Sequence, residues 1–187
     1  MKLIVTEKYN AAEKIASILA DGHPARETIQ DTPVFSWGET KCIGLAGHVV
    51  ALDFDEKYND WGEHHPKKLV DATIQKTPSK QNLVNSIQTV GENADTVIIA
   101  TDYDREGELI GKEAYELIHD VNPDVDVKRA LFSSLTSEEI TEAFDDLTTI
   151  NEDLAAAGES RQRIDLRWGA SLTRFLTLLS ERADGIL

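Results

Sequence analysis

The sequence has little cysteine and no long apolar run. Its single cysteine, Cys42, excludes an internal disulfide, and we expect it to be a small buried residue. No segment approaches the roughly 18 consecutive apolar residues that a membrane span requires. The amino terminus, residues 1–7, becomes charged too soon for a signal peptide. We therefore expect a cytoplasmic protein.

Basic residues are also scarce. The chain has 19 Lys and Arg against 34 Asp and Glu, a net charge of −15. Because binding of nucleic-acid phosphates normally depends on Lys and Arg, composition alone argues against DNA as a partner. The acidic residues are dispersed along the chain, which suits a protein working in concentrated salt, where charge repulsion is strongly screened. We interpret the net charge as a sign of a salt-adapted source. A prediction of DNA binding therefore needs evidence from particular segments of the chain.

The apolar pattern predicts an α/β domain over residues 1–150. The length of 187 residues and the hydrophobic content of 41% allow one such domain and the start of a second. Strands and helices alternate, which indicates a parallel sheet flanked by helices. The clearest strand is the β-branched run 96–101, typical of a central parallel strand covered on both faces. Residues 151–187 are predicted to be the first helical segment of an adjoining domain.

Other elements are predicted less sharply. A first strand covers Lys2–Thr6, and the following helix has Asn10 as its candidate N-cap. Thr136, with Glu139 three residues later, is the candidate cap of a later helix. Residues 53–80 resemble a surface excursion. Further short strands are expected at 34–37, 41–45, 49–52 and 127–131, and a helix at 81–90.

Three carboxylates follow the clearest strand. Asp102 and Asp104 lie on the same side by the strand's period of two, and Glu106 opens the next helix. Two like charges about 4 Å apart repel by about 4 kcal/mol at an effective dielectric of 20. A divalent cation can offset such repulsion, and ligation by carboxylates without Cys or His favours Mg²⁺ over Zn²⁺. The alternative is a set of solvated acids at a helix start, where negative charge is mildly favoured.

Glu7 and Lys8 follow the first strand. If the first strand and the 96–101 strand are parallel, Glu7 meets Asp102 and Asp104 at one edge of the sheet, where ligands bind in open α/β folds. Lys8 could hold a phosphate in the same pocket. An ordinary strand-end acid is the alternative for Glu7. His48 and the His64–His65 pair lack metal-ligand spacing, so we interpret His48 as structural and propose no zinc site.

Taken together, Glu7 after a first strand and the Asp-x-Asp-x-Glu-Gly-Glu block at 102–108 resemble the Toprim signature. That domain occurs in type IA and type II topoisomerases, bacterial primases and some nucleases. Three further segments narrow the resemblance to type IA DNA topoisomerases, most strongly to archaeal members, including salt-adapted ones. They are a Gly-His segment at 47–50 with 58–61, a Phe-x-x-hydrophobic-Thr turn at 132–136, and an Arg-x-x-x-Asp-x-x-x-Gly helix at Arg161, Asp165 and Gly169.

The resemblance implies roles for these residues. In the family a tyrosine attacks a DNA phosphodiester, another strand passes, and the break is resealed. Glu7 would protonate the leaving 3′-oxygen and Lys8 would stabilise the scissile phosphate. Asp102, Asp104 and Glu106 would hold Mg²⁺. Arg105 would contact DNA.

The helical segment adds local evidence for DNA. Its period places Ile164, Trp168, Leu172, Phe175 and Leu179 on one face, and Arg163, Arg167 and Arg174 on the opposite face as a short basic stripe. Arg161 and Asp165, one turn apart, fall on the apolar side. They are predicted to be either a buried structural pair or a phosphate-binding arginine steadied by an aspartate.

Four tyrosines are present, and none has the family's nucleophile setting of an aromatic residue and proline before Arg-x-Asp. We therefore expect a Toprim fragment of a longer topoisomerase that binds Mg²⁺, and single-stranded DNA weakly, but does not relax DNA alone. Three alternatives stay open. They are another Toprim enzyme (a primase or Mg²⁺-dependent nuclease), a receiver-like module phosphorylated on Asp102 with Lys128 as its lysine, and a noncatalytic DNA-binding module.

Overall fold

The structure is a computed structural model that describes residues 1–61 and 63–184. The chain forms two compact units: residues 1–50 with 78–158, and residues 51–77 with the residues from 159 onward. These units do not follow the predicted boundary at residue 150, because residues 51–77 pack with the later part of the last helix. Within the described residues, no helix combines the length and apolar character needed to cross a membrane.

The elements follow largely the predicted order. The strands are β1 (Lys2–Thr6), β2 (Ala25–Ile29), β3 (Thr32–Trp37), β4 (Thr40–Gly44), β5 (Val50–Phe54), β6 (Ile74–Pro78), β7 (Thr96–Ile99) and β8 (Asp126–Arg129). The helices are α1 (Tyr9–Leu19), α2 (Gln81–Gly91), α3 (Arg105–His119), α4 (Ser137–Asp145) and α5 (Glu152–Asp184), with short 3₁₀ turns at Glu56–Tyr58 and Pro66–Leu69.

The first unit contains a six-stranded sheet of order β2-β3-β4-β1-β7-β8. The pairs β4–β1, β1–β7 and β7–β8 are parallel, as the alternation of strands and helices predicts. The other edge differs, since β2, β3 and β4 pair antiparallel there, so the sheet is mixed around a parallel centre. Gln30 and Asp31 join β2 to β3 with φ values of 49° and 65°. Positive φ at both turn residues gives the two-residue hairpin that reverses the chain here.

Both faces of the central strands are covered. On one face Leu3, Val5, Val97 and Ile99 pack against α2 and α3 through Ile87, Ile110 and Ile118. On the other face Ile4 and Ile98 pack against α1 and α4 through Ala12, Ile15 and Ile140. Successive residues of a strand point to opposite faces, so the continuous apolar runs of β1 and β7 fill both clusters. The prediction of a central strand buried on two sides is confirmed.

Helix starts agree with prediction in one case and differ in another. Thr136 caps α4, its Oγ1 accepting from Glu139 N at 3.4 Å. The expected Asn10 cap is wrong: α1 begins at Tyr9, so Asn10 lies inside the helix. The cap position belongs to Lys8, whose extended backbone is also bridged to Ala46.

The second unit has its own small core. Strands β5 and β6 form a two-stranded sheet. Phe54, Leu69 and Ala72 are buried, and Leu166 and Ala170 of α5 pack against them. The interpretation of residues 53–80 as a simple surface excursion is therefore wrong, since this segment shelters apolar side chains against a helix.

The face of α5 that turns inward in this unit is the reverse of the predicted one. Trp168 is 69% exposed, and Ile164, Leu172, Phe175 and Leu179 are exposed as well. The basic stripe packs instead. Arg174 is 8% exposed and donates to Tyr58 O, with its guanidinium 5.1 Å from the centre of the Trp61 ring. Arg167 Nη2 donates to Ala72 O at 3.2 Å. Arginine can occupy an inner face because its apolar stem packs while its guanidinium satisfies backbone carbonyls.

Candidate active-site edge of the sheet

Glu7 and Asp102 lie just beyond the carboxyl ends of two neighbouring strands. β1 and β7 are parallel with Val5 opposite Ile99, and Ala100 N donates to Val5 O at 2.8 Å. Because the register continues past both strand ends, the early glutamate and the later aspartates reach the same edge of the sheet. The predicted meeting of these residues at one edge agrees with this geometry.

Lys8 and Glu7 form an ion pair at that edge, with Nζ and Oε1 2.7 Å apart. The hydrogen bond to Glu7 raises the pKa of Lys8, and the charges of Asp102 and Glu106 act in the same direction. The Lys8 side chain is 65% exposed, so its ammonium group stays accessible to an anion. A cation beside three carboxylates can hold a phosphate that those carboxylates alone would repel.

The loop of residues 102–104 is fixed by the first turn of α3. Asp104 is the N-cap of the helix, its Oδ1 accepting from Glu106 N at 2.9 Å and from Gly107 N at 2.8 Å. A Cβ at Gly107 would lie 2.1 Å from Asp102 O, so a glycine is required for the loop to lie this close to the helix. Thr101 Oγ1 donates to Gly107 O at 2.7 Å and ties the strand end to the same turn.

Glu106 faces a histidine rather than the two aspartates. His48 Nε2 lies 3.7 Å from Glu106 Oε1, and His48 Nδ1 lies 3.2 Å from Oε2 of the buried Glu113. The hydrogen bond to Glu113 raises the pKa of His48; burial opposes this, and the charges of Glu113, Glu106 and Glu7 reinforce it. His48 therefore links the buried carboxylate to the exposed one. Sequence reasoning missed Glu113, since 65 residues separate it from His48 and no local spacing joins them.

A buried ion pair lies beneath the loop. Arg129 Nε is 3.2 Å from Glu108 Oε1, and both side chains are 0% exposed. Arg129 also donates from Nη2 to Asp102 O at 3.1 Å and from Nη1 to Ala130 O at 2.6 Å. Burial lowers the pKa of Arg129, and Glu108 opposes that change. Sequence reasoning left Glu108 without a clear role and missed Arg129, although a charged residue on a buried strand signals a required partner.

A cleft of about 380 Å³ opens between residues 102–104 and 132–135. Asp102 and Asp104 line it and are exposed. Among the described residues, no group of three or more His, Cys, Asp or Glu side chains is arranged to hold a metal ion, so Asp102, Asp104 and Glu106 do not form such a group. Mg²⁺ commonly uses one or two carboxylates and completes its shell with water and phosphate oxygens. The donor chemistry of Asp102 and Asp104 therefore fits Mg²⁺.

The three predicted DNA contacts are all exposed. Arg105 is the first residue of α3 in the first unit. In the second unit, Arg161 Nε lies 3.4 Å from Asp165 Oδ2, with the side chains 58% and 68% exposed. The predicted inward position of this pair is wrong, because α5 turns its arginine stripe inward and leaves the apolar side exposed. An exposed pair of this kind contributes only about 0.3–0.5 kcal/mol to stability.

Comparison with known proteins agrees with this geometry. The Toprim domain model matches residues 2–135. The chain is 40% identical to DNA topoisomerase 1 of Archaeoglobus fulgidus, over 96% of this chain and 27% of that protein. It is 37% identical to DNA topoisomerase 1 of Thermoplasma acidophilum, over 97% of this chain and 24% of that protein. It is 33% identical to human DNA topoisomerase 3-alpha, over 96% of this chain and 19% of that protein.

The similarity spans nearly all of this chain but a quarter or less of most of these relatives. The model's match includes both strand ends that carry Glu7 and Asp102, and it stops at the turn that closes the cleft. By this match and by its own sheet topology, the chain belongs to the Toprim domain family and corresponds to the Toprim part of DNA topoisomerases.

Proposed function

We propose that the chain is the Toprim part of a type IA DNA topoisomerase. The full protein would cleave one DNA strand, pass another through the break and reseal it, with a 5′-phosphotyrosine as the covalent intermediate. The tyrosine would come from another part of the full-length protein, because none of the four in this chain has the family's nucleophile setting. The chain alone would then bind ligands without completing the reaction.

The shared edge of β1 and β7 carries this proposal. Glu7, Lys8 and Asp102 lie at adjacent strand ends, and the carboxylates act on Lys8 strongly enough to raise its pKa. In this assignment Glu7 takes up a proton when Lys8 turns from it to the phosphate, gives that proton to the leaving 3′-oxygen and takes it back on resealing. The Lys8 ammonium stabilises the charge that develops on the scissile phosphate. Both groups would then contact a phosphate held over the strand ends.

The metal in this proposal is Mg²⁺. Asp102 and Asp104 would supply oxygen ligands, and Glu106 would join them only by turning its carboxylate away from His48. Bound Mg²⁺ supplies positive charge that holds a phosphate beside carboxylates. The exposure of Asp102 and Asp104 supports this assignment, as does the free second oxygen that remains when Asp104 Oδ1 caps α3.

The DNA in this proposal is a single-stranded segment. Arg105 would contact its backbone beside the acidic edge, and Arg161, steadied by Asp165, would contact phosphate from the second unit. We further propose that the acidic surplus is an adaptation to concentrated salt in the cytoplasm. The net charge of −15 supports this, since salt screens repulsion among exposed carboxylates. Thermal stability that fails to rise with added potassium chloride would contradict the adaptation.

Two measurements test the function. Calorimetry with Mg²⁺ should show binding by the wild-type chain and a loss of at least about tenfold in affinity for Asp102→Asn combined with Asp104→Asn. A hybrid, in which this chain replaces the matching segment of the Archaeoglobus fulgidus topoisomerase, should relax supercoiled plasmid. The same hybrid with Glu7→Gln should not.

The outcomes separate the candidates. The wild-type chain alone should leave supercoiled plasmid unchanged. Primer synthesis or Mg²⁺-dependent hydrolysis by the isolated chain, without a covalent protein–DNA link, would instead support a primase or nuclease. An inactive but folded hybrid that retains Mg²⁺ affinity would exclude the topoisomerase assignment.

A further inference from the structure

The cleft beside the acidic loop has an aromatic wall that the proposed chemistry does not use. Tyr103 stands between Asp102 and Asp104, lines the cleft and is 53% exposed. Leu135, 36% exposed, and the largely buried Phe132 line the opposite side. Among the residues that the structure describes, no aromatic ring stacks on Tyr103. An exposed ring in a concave site offers a planar surface to a ligand.

The size and lining of the cleft suit one nucleobase. Its volume of about 380 Å³ lies in the range of roughly 300–1,000 Å³ that small-molecule sites occupy. The walls combine apolar side chains with the polar groups of Ser133 and Ser134. Ser134 Oγ and Ser133 N are both held by Glu139, so the turn that forms this wall is fixed in place.

The charges that line the cleft favour a nucleotide ligand that is bound through its base rather than through many phosphates. The lining contains Asp102 and Asp104 but no Lys or Arg. Three arginines of α5 that could have formed a phosphate-binding stripe are engaged within the second unit: Arg163 with Glu159, Arg167 with Ala72 O and Arg174 with Tyr58 O. In a chain of net charge −15, few cations remain to neutralise a backbone. Stacking of a base on an aromatic ring does not require such cations.

We propose that the cleft between residues 102–104 and 132–135 binds one unpaired base of single-stranded DNA, stacked on the Tyr103 ring. The site rests on the proposed function and specifies how that function engages its substrate: base stacking holds the strand beside the carboxylate edge. Binding that depends on stacking is insensitive to sequence, since every base has a π-face. It also persists in salt that screens phosphate contacts, which suits an acidic protein in concentrated salt.

The test uses the whole 187-residue chain and a fluorescent oligothymidylate of about ten nucleotides, within the usual site size of single-strand binders. Fluorescence anisotropy should show binding by the wild type and a loss of roughly tenfold in affinity for Tyr103→Ala. Tyr103→Phe should keep the wild-type affinity because the aromatic ring is retained. Tyr103→Leu, apolar but without a π-face, should bind like the alanine variant.

A matched control comes from a second exposed aromatic side chain. Trp168 does not line the cleft, so Trp168→Ala should bind oligothymidylate like the wild type. The logarithm of the affinity should fall with the logarithm of salt concentration with a slope of about −1 to −2, corresponding to only one to three phosphate contacts at roughly −0.7 each. A steep slope would mean that phosphates, not a base, hold the strand.

Each remaining result has a defined meaning. Equal affinities of wild type and Tyr103→Ala, with Mg²⁺ binding intact, overturn the base site and leave the proposed function standing. A wild type that binds Mg²⁺ but no oligonucleotide overturns the base site and the DNA part of the proposed function together. Failure of Tyr103→Phe to retain binding also overturns the proposal.

Discussion

Arg129 connects the buried Glu108 carboxylate to the backbone oxygen of Asp102, with Nε 3.2 Å from Glu108 Oε1 and Nη2 3.1 Å from Asp102 O. The pair joins β8 to α3 directly under the acidic loop. Because the guanidinium satisfies a backbone carbonyl of that loop, the position of Asp102 depends on an ion pair that no solvent reaches.

Removing one member of this pair should be costly. We expect Arg129→Met to lower the free energy of unfolding by about 3–5 kcal/mol, because it leaves the Glu108 charge buried without a partner. Glu108→Gln combined with Arg129→Met should lose less than the sum of the two single variants, with a coupling of about 0.5–3 kcal/mol. Urea denaturation of the four proteins measures both quantities. Additive losses would contradict a direct interaction.

Substitutions of Asp104 should separate the effect of helix capping on stability from the effect of metal binding. Its Oδ1 caps α3, and Asn can accept the same two hydrogen bonds without carrying the charge. Asp104→Asn should therefore retain most of the stability while weakening Mg²⁺ binding. Asp104→Ala should weaken Mg²⁺ binding similarly and also cost about 0.5–2 kcal/mol of stability through the lost cap. Calorimetry and urea denaturation distinguish the two effects; equal stability of both variants would argue against the cap.

His48 should titrate above its usual range in the metal-free protein. The Glu113 hydrogen bond raises its pKa, so the folded-state pKa exceeds the unfolded value near 6.5. The resulting stabilisation is fully present below about pH 6.5 and is lost as pH rises through the higher folded pKa. NMR of the imidazole should show the raised pKa, and Glu113→Gln should lower it. An unchanged titration in Glu113→Gln would contradict the assigned cause.

Two glycines of α5 should respond oppositely to alanine. A Cβ at Gly158 would lie 2.3 Å from Arg105 O, whereas a Cβ at Gly169 would meet nothing within 4 Å. Gly158→Ala should destabilise by about 1–3 kcal/mol, as overpacking against backbone does. Gly169→Ala should stabilise by about 0.5–1 kcal/mol, since alanine favours the helix. Thermal denaturation measures both, and a stabilised Gly158→Ala would contradict the close approach of α5 to the start of α3.

Cys42 should be unreactive while the protein is folded. Its side chain is 0% exposed, and burial raises the pKa of its thiol. Only the thiolate reacts readily with disulfide reagents, so labelling should be slow in buffer and fast in concentrated urea. Equal labelling rates in the two solvents would mean that the site opens easily.

Local sequence patterns were sufficient to predict most of the sheet edge that carries the candidate catalytic and metal-binding residues. The apolar runs of β1 and β7 indicate strands covered on both faces, because every residue in them except Lys2 is apolar or β-branched. Parallel pairing then brings Glu7 and Asp102 to one edge without any further contact being specified. The cap at Thr136 was equally local, since a hydroxyl and the helix that it caps are adjacent in the chain.

Tertiary structure alone decided which side of α5 is buried. An amphipathic pattern indicates that a helix has two faces, but it does not say which one is buried. Arginine can lie on the buried face when it donates hydrogen bonds to backbone carbonyls, here Ala72 O and Tyr58 O. The His48–Glu113 and Glu108–Arg129 pairs were also out of reach, because each joins residues far apart in the chain whose meeting depends on how helices pack on the sheet. Sequence alone indicated the strands and the carboxylates at their ends, whereas the packing of helices on the sheet determined the partners of Glu113, Glu108 and Arg129.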